Sequence, residues 1–160
     1  MLINKLTKPL LTAVTSGLLM IAFNSAAFAG EFFERDGVAI EGYDPVAYFT
    51  EKQPVQGKKE FSAEYKGSVF LFSSAANRDK FKATPEAFAP QFNGFCAYGT
   101  AGGYKAKSDG TAFTVLDGKL YLNYNTLVRT RWNLDAPGYI NKAVANWPAV
   151  EKTTKINYWF

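Results

Sequence analysis

The chain has 160 residues with 18 basic and 14 acidic side chains, a formal net charge of +4, nine tyrosines, three tryptophans, one cysteine and no histidine. A single cysteine excludes an intramolecular disulfide, and the missing imidazole excludes histidine-based triads, CxxCH haem attachment and the commonest transition-metal ligand. No long run of like charge gives the footprint of nucleic-acid binding or of an anionic membrane surface.

The chain starts with Lys5 and Lys8, continues uncharged and mostly apolar from Pro9 to Phe23, and reaches the small-x-small sequence Ala27-Phe28-Ala29. Those three zones predict a cleavable signal peptide over residues 1–29 and an exported protein, periplasmic or secreted, starting near Gly30. The alternative is a membrane anchor, but the apolar run falls short of the ~20 residues a spanning helix needs. No later segment is apolar enough to cross a membrane, so an integral membrane protein is not expected. The remaining chain, 30–160, is predicted to be a single domain with its core over about 42–148 and a short C-terminal tail. It is long enough to bury a core without a disulfide or metal staple.

Residues 30–42 read as an irregular lead-in. Tyr43-Asp44-Pro45-Val46-Ala47-Tyr48-Phe49 predicts a short helix, with Asp44 accepting from free N–H groups of the first turn and Pro45 placed where its missing N–H costs nothing. Residues 50–60 read as a surface loop. A hairpin follows, Phe61–Tyr65 and Ser68–Phe72 about Lys66-Gly67, with Tyr65 opposite Ser68, Ala63 opposite Phe70 and Phe61 opposite Phe72. Ser73 or Ser74 caps a helix to about Ala83, and Thr84-Pro85-Glu86 starts one further turn.

Asn93 to Gly103 is the least regular stretch, with a short helix starting at Cys96. Asp117-Gly118 is a strong hairpin signal. It places Phe113, Val115, Leu120, Leu122 and Tyr124 on one face, expected in the core, and Thr114, Lys119, Tyr121 and Asn123 on the other. A helix over about Thr126–Asn133 and a second from Asp135, with Tyr139, Ile140, Ala143, Val144 and Trp147 as its apolar stripe and Pro148 as its end, complete the chain. Two hairpins interleaved with short helices predict an α+β fold with a small antiparallel sheet.

Tyr43-Asp44-Pro45-Val46, Glu64-Tyr65-Lys66-Gly67, Phe70-Leu71-Phe72-Ser73-Ser74, Asn77-Arg78-Asp79-Lys80-Phe81 and Thr84-Pro85-Glu86-Ala87-Phe88 together resemble the YHS domain family. Gly94-Phe95-Cys96-Ala97-Tyr98, Asp117-Gly118-Lys119-Leu120-Tyr121-Leu122 and Ala145-Asn146-Trp147-Pro148 are similar to an exported branch of it. The resemblance spans roughly 42–148. It implies association with a metal: metal-associated relatives place cysteines after the Pro-Val pair and around the end of the second strand, where thiolates suit copper or zinc. Ala47, Ser73 and Asn77 stand at those positions here.

Tyr43, Asp44, Cys96 and Tyr98 are the candidate ligand-binding residues. Cys96 is the one soft metal ligand, or a reactive thiol activated by a helix start; its alternative is a small buried residue in an aromatic core. Asp44 is an acidic ligand or a cap. Tyr43, Tyr48, Tyr98, Tyr104, Tyr121 and Tyr124 line an aromatic pocket or fill the core. Gly99, Gly102 and Gly103 lack the spacing of a phosphate loop, and Ser73 reads as part of a helix cap rather than as a Ser-Lys nucleophile. The leading expectation is a non-catalytic exported binding protein that handles a copper or zinc ion. The second is a metal-free module for an apolar small molecule or a protein partner. The third, a thiol-dependent enzyme using Cys96, ranks last because no histidine activates the thiol. A homodimer stays open.

Overall fold

A computed structural model describes residues 30–158, so the leader expected over 1–29 lies outside the described residues. In chain order the elements are β1 (Glu34–Arg35), β2 (Val38–Ala39), α1 (Ala47–Thr50), β3 (Lys58–Tyr65), β4 (Ser68–Phe72), α2 (Ala75–Ala83), α3 (Ala97–Ala101), β5 (Asp109–Leu116), β6 (Lys119–Asn123), α4 (Thr126–Asn133) and α5 (Ala136–Val150). Single 3-10 turns occupy Ile40–Gly42, Pro85–Ala87 and Gln91–Gly94. The α+β class is as expected. The two hairpins, however, are separate antiparallel ladders, and β1 and β2 form a third where an irregular lead-in was expected. Its turn, Asp36-Gly37, has φ of 54° and 76°. That is the same left-handed pair as at Asp117-Gly118, and it suits the twist of a tight hairpin.

Near their turns the two long hairpins have the predicted register, with Tyr65 opposite Ser68 and Ala63 opposite Phe70 in one, and Phe113 opposite Leu122 and Val115 opposite Leu120 in the other. Farther out each is interrupted by a bulge. Lys58, not Phe61, faces Phe72, because extra residues on β3 bend it away from a straight ladder. Gly57 then lies against Leu71 so closely that a Cβ would come within 2.4 Å of the Leu71 carbonyl carbon.

Three helices start on side-chain oxygen caps. Ser74, Asn125 and Asp135 accept the N–H groups of Asn77, Val128 and Gly138, satisfying donors that have no partner inside the helix. Pro148 does not end α5, which runs on to Val150. The carbonyl it leaves without a donor is four positions back, at Val144, a residue 60% exposed to solvent.

Two apolar clusters form the interior. Ile40, Val46, Tyr48, Phe70, Phe72, Phe81, Leu120 and Leu122 belong to the first; Phe92, Ala97, Tyr121, Trp132 and Ala143 belong to the second. Strand β6 separates them, so from Leu120 to Asn123 its side chains are buried on both faces. The sequence expectation of one core face is therefore corrected. Tyr121 and Asn123 are buried, because α3, α4 and the turn at Gln91–Gly94 cover that side, and Val115 is 36% exposed. The tail after α5 is tied down: Asn157 N–H donates to Lys105 O at 2.9 Å and Lys107 N–H to Asn157 O at 3.0 Å. Among the described residues no helix is long and apolar enough to cross a membrane.

Candidate functional site

Asp44 is the best-connected polar side chain among the residues singled out in the sequence. It is fully buried. Its Oδ1 accepts the N–H of Val46 at 2.8 Å and of Ala47 at 3.3 Å, which is the predicted helix-start role. Its Oδ2 accepts three more bonds from distant segments: Ser73 N–H at 2.8 Å, Ser73 Oγ–H at 2.7 Å and Asn77 Nδ2–H at 2.7 Å. None of the ion pairs among the described residues includes it. A buried carboxylate without a cation is tolerable only when its lone pairs are taken by donors, and here both oxygens are.

Tyr43 precedes this network and packs its ring over Gly110, where a Cβ would lie 2.1 Å from Tyr43 Cδ2. Tyr48, on α1, donates its hydroxyl to Gly110 O at 2.7 Å. Burial holds that phenol far above the ordinary tyrosine range.

Cys96 and Tyr98 lie in a different network. Cys96 is the N-cap residue of α3; its Sγ accepts Gly99 N–H at 3.4 Å and lies 3.9 Å from Asn123 Oδ1. Asn123 Oδ1 also accepts Tyr98 N–H at 3.2 Å. The ring of Tyr98 meets that of Tyr139 at a centroid distance of 4.9 Å. The sequence raised two opposed effects at Cys96, a helix start that lowers the thiol pKa and an apolar core that raises it. Burial wins: it pushes the pKa from 9.0 up to about 11, against the smaller opposing effect of backbone donors at Gly99, Tyr124 and Tyr98. The thiol is buried and free, so it offers no surface for pairing with a second chain.

Thus Asp44, and Cys96 with Tyr98, belong to two separate hydrogen-bonded groups, and Tyr43, beside Asp44 in sequence, packs on Gly110 without joining either. Sequence reasoning missed the partners that define each: Ser73 and Asn77 around Asp44, and Asn123 beside Cys96. Ser73, just after β4, and Asn77, in the first turn of α2, were legible as a pair from the positions where relatives place cysteines, but their common target was not.

Openings on the surface lie elsewhere. One groove of about 350 Å³ is walled by Phe32, Tyr65, Phe92 and Trp147, with Lys66 and Glu86 among its polar lining residues. Tyr65 donates its hydroxyl to Glu86 Oε1 at 3.0 Å. A wider opening of about 900 Å³ shares Phe32 and Asn93 with it and is lined by charge, including Glu31, Glu34, Lys105 and Lys152. Of the six tyrosines considered as a pocket lining, Tyr48 borders a third cavity of about 310 Å³ with Phe49, Lys52, Phe113 and Val115.

Hairpins and short helices around aromatic clusters, with a buried carboxylate hub joining two of the helices to the end of a strand, define a small α+β module. Residues 46–92 match the family model of the YHS domain, and the chain is a YHS domain-containing protein. No curated protein and no solved structure matches it.

Metal binding is ascribed to the YHS family, but the donors present here do not fit a copper or zinc ion. Ala47 offers a methyl group, and Ser73 and Asn77 direct their hydrogens at Asp44. Cys96 is buried and protonated at neutral pH. Among the described residues no three His, Cys, Asp or Glu side chains come together.

Proposed function

We propose that the protein is a non-catalytic binding module that works outside the cytoplasm after loss of residues 1–29. In this reading the segment from Gly30 onward acts as one domain. It takes an apolar or aromatic small molecule in the groove between Phe32, Tyr65, Phe92 and Trp147. The observation that carries this reading is the composition of the groove: four rings from separate segments, with Lys66 and Glu86 as charged groups that orient a ligand. Small-molecule sites are mostly apolar concavities of roughly 300–1,000 Å³ with a few placed polar groups. Val144, 60% exposed, extends the apolar wall beside Trp147. Against catalysis stands Cys96, a protonated thiol whose side-chain partners are Gly99 and Asn123, in a chain with no histidine to act as its base.

The test uses the full-length chain expressed in an exporting host. The recovered protein is expected to start at or near Gly30 by mass spectrometry. Titration with the probe 1-anilinonaphthalene-8-sulfonate is expected to be saturable, to alter tryptophan fluorescence, and to be insensitive to chelator. Val144→Glu and Trp147→Ala should weaken it about tenfold or more. Saturable binding left unchanged by both substitutions would overturn the groove assignment, and an intact N-terminus on the recovered protein would overturn the export assignment.

A further inference from the structure

The disagreement between the family's ascribed metal binding and the donors around Asp44 has its own structural content. Five hydrogen bonds converge on one carboxylate. They come from three places: the start of α1, the residue that follows β4, and the first turn of α2. A metal centre joins segments by surrounding a cation with lone pairs. Here the polarity is reversed, with an anion at the centre and the positive ends of N–H and O–H dipoles around it.

We infer that Asp44 is an anionic cross-link that replaces a metal ion in this chain, and that its cluster with Ser73 and Asn77 rejects copper and zinc. The chemistry follows from hydrogen positions. Val46 and Ala47 donate through backbone N–H groups that cannot turn away without undoing the start of α1. Ser73 donates to the same oxygen through both its N–H and its hydroxyl, at 2.8 and 2.7 Å. Asn77 Nδ2 bridges Asp44 Oδ2 at 2.7 Å and Ser73 Oγ at 3.2 Å. A cation entering this space meets partial positive charge from each of these donors, and gains one carboxylate only by breaking its existing bonds. Bonds to an ionised acceptor are roughly twice as strong as neutral ones, so the hub holds its segments together without a metal. The start of α2 adds the positive pole of its dipole on the same side. None of these residues lines the aromatic groove, so the inference stands or falls independently of the ligand proposed there.

The experiment takes the exported protein, incubates it with copper or zinc, removes the excess and measures bound metal, alongside thermal unfolding with and without EDTA. No stoichiometric metal and a melting temperature indifferent to EDTA are expected. Ser73→Ala and Asn77→Ala should each lower the melting temperature by about 4–8 °C, the shift that follows from losing one bond to a buried charge. The double variant should fall short of the sum, because the two side chains bond each other and share one acceptor. Asp44→Asn should be the most damaging, since its amide would point hydrogens at the hydrogens of Ser73 and Asn77. If that variant does not fold, the two alanine variants still decide. Near-stoichiometric metal that is lost on Asn77→Ala would overturn the inference, as would unchanged melting of both alanine variants.

Discussion

Asn77 Nδ2 donates to Asp44 Oδ2 at 2.7 Å across 33 positions of sequence, and this bond ties the second helix to the start of the first. Asp44 would satisfy a helix start with Oδ1 alone. Its second oxygen turns a local cap into a long-range brace, so the same residue serves secondary structure on one side and tertiary structure on the other. The brace also fixes which hydrogens point into the space between these segments, and that orientation bears on what the site accepts.

Cys96 should make stability depend on alkaline pH. Its folded pKa is raised by burial from 9.0 to about 11, so the unfolded chain loses the proton first. The contribution is fully present below pH ~9 and is lost as pH rises toward ~11, by about 3 kcal/mol at most. Urea unfolding of the wild type and of Cys96→Ala across this range should differ in slope, with the variant losing less stability. Equal slopes would show that the folded thiol ionises as an unfolded one does. Alkylation at pH 8 should likewise be slow until denaturant is added.

Gly110→Ala should destabilise by about 2 kcal/mol through overpacking. The added Cβ would sit 2.1 Å from Tyr43 Cδ2, on a residue whose N–H donates to Glu41 at 3.1 Å and whose carbonyl accepts from Tyr48. The backbone at position 110 is thus held from both sides, and the ring of Tyr43 must move instead. Tyr43→Ala should recover part of the loss in the double variant. Additive losses would mean that the strain lies somewhere other than this contact.

Lys105→Ala should loosen the tail without unfolding the protein. The Lys105 ammonium donates to Glu151 O at 2.9 Å and Thr153 O at 2.8 Å, and its backbone carbonyl accepts from Asn157. The side-chain bonds are solvent-accessible, so global stability should fall by ~1 kcal/mol or less. Amide exchange at Asn157 and Lys107 should quicken several-fold, and carboxypeptidase should trim the tail sooner. Unchanged exchange would assign the anchoring to the Ala106–Asn157 bridge alone.

Much of the fold was legible because its signals are local. Lys66-Gly67 and Asp117-Gly118 specify their turns and the registers beside them, since tight hairpin turns require left-handed backbone that glycine tolerates. Ser74 and Asp135 announce helix starts through oxygen acceptors one turn from free N–H groups. Asp36-Gly37 carries the same turn signal, but strands of two residues are too short to show alternation. The bulges in β3 and β5 were not legible, because a bulge answers to what the strand must curve around.

The chemical inventory and the local grammar can be read directly from the residues: one thiol, no imidazole, an Asp-Pro helix start, two clear turns and a YHS pattern lacking thiols at the expected positions. What those residues do follows from how distant segments pack together. Helices α3 and α4 and the turn at Gln91–Gly94 cover the far side of β6, which buries Tyr121 and Asn123 and makes an expected outer face into a second core. The packing that buries Cys96 outweighs the helix start that would have activated it, because desolvation of a charge exceeds the pull of a few backbone dipoles. And Ser73 and Asn77 meet Asp44 only once β4 and α2 are in place, since a hydrogen bond between distant positions has no signature in the sequence between them.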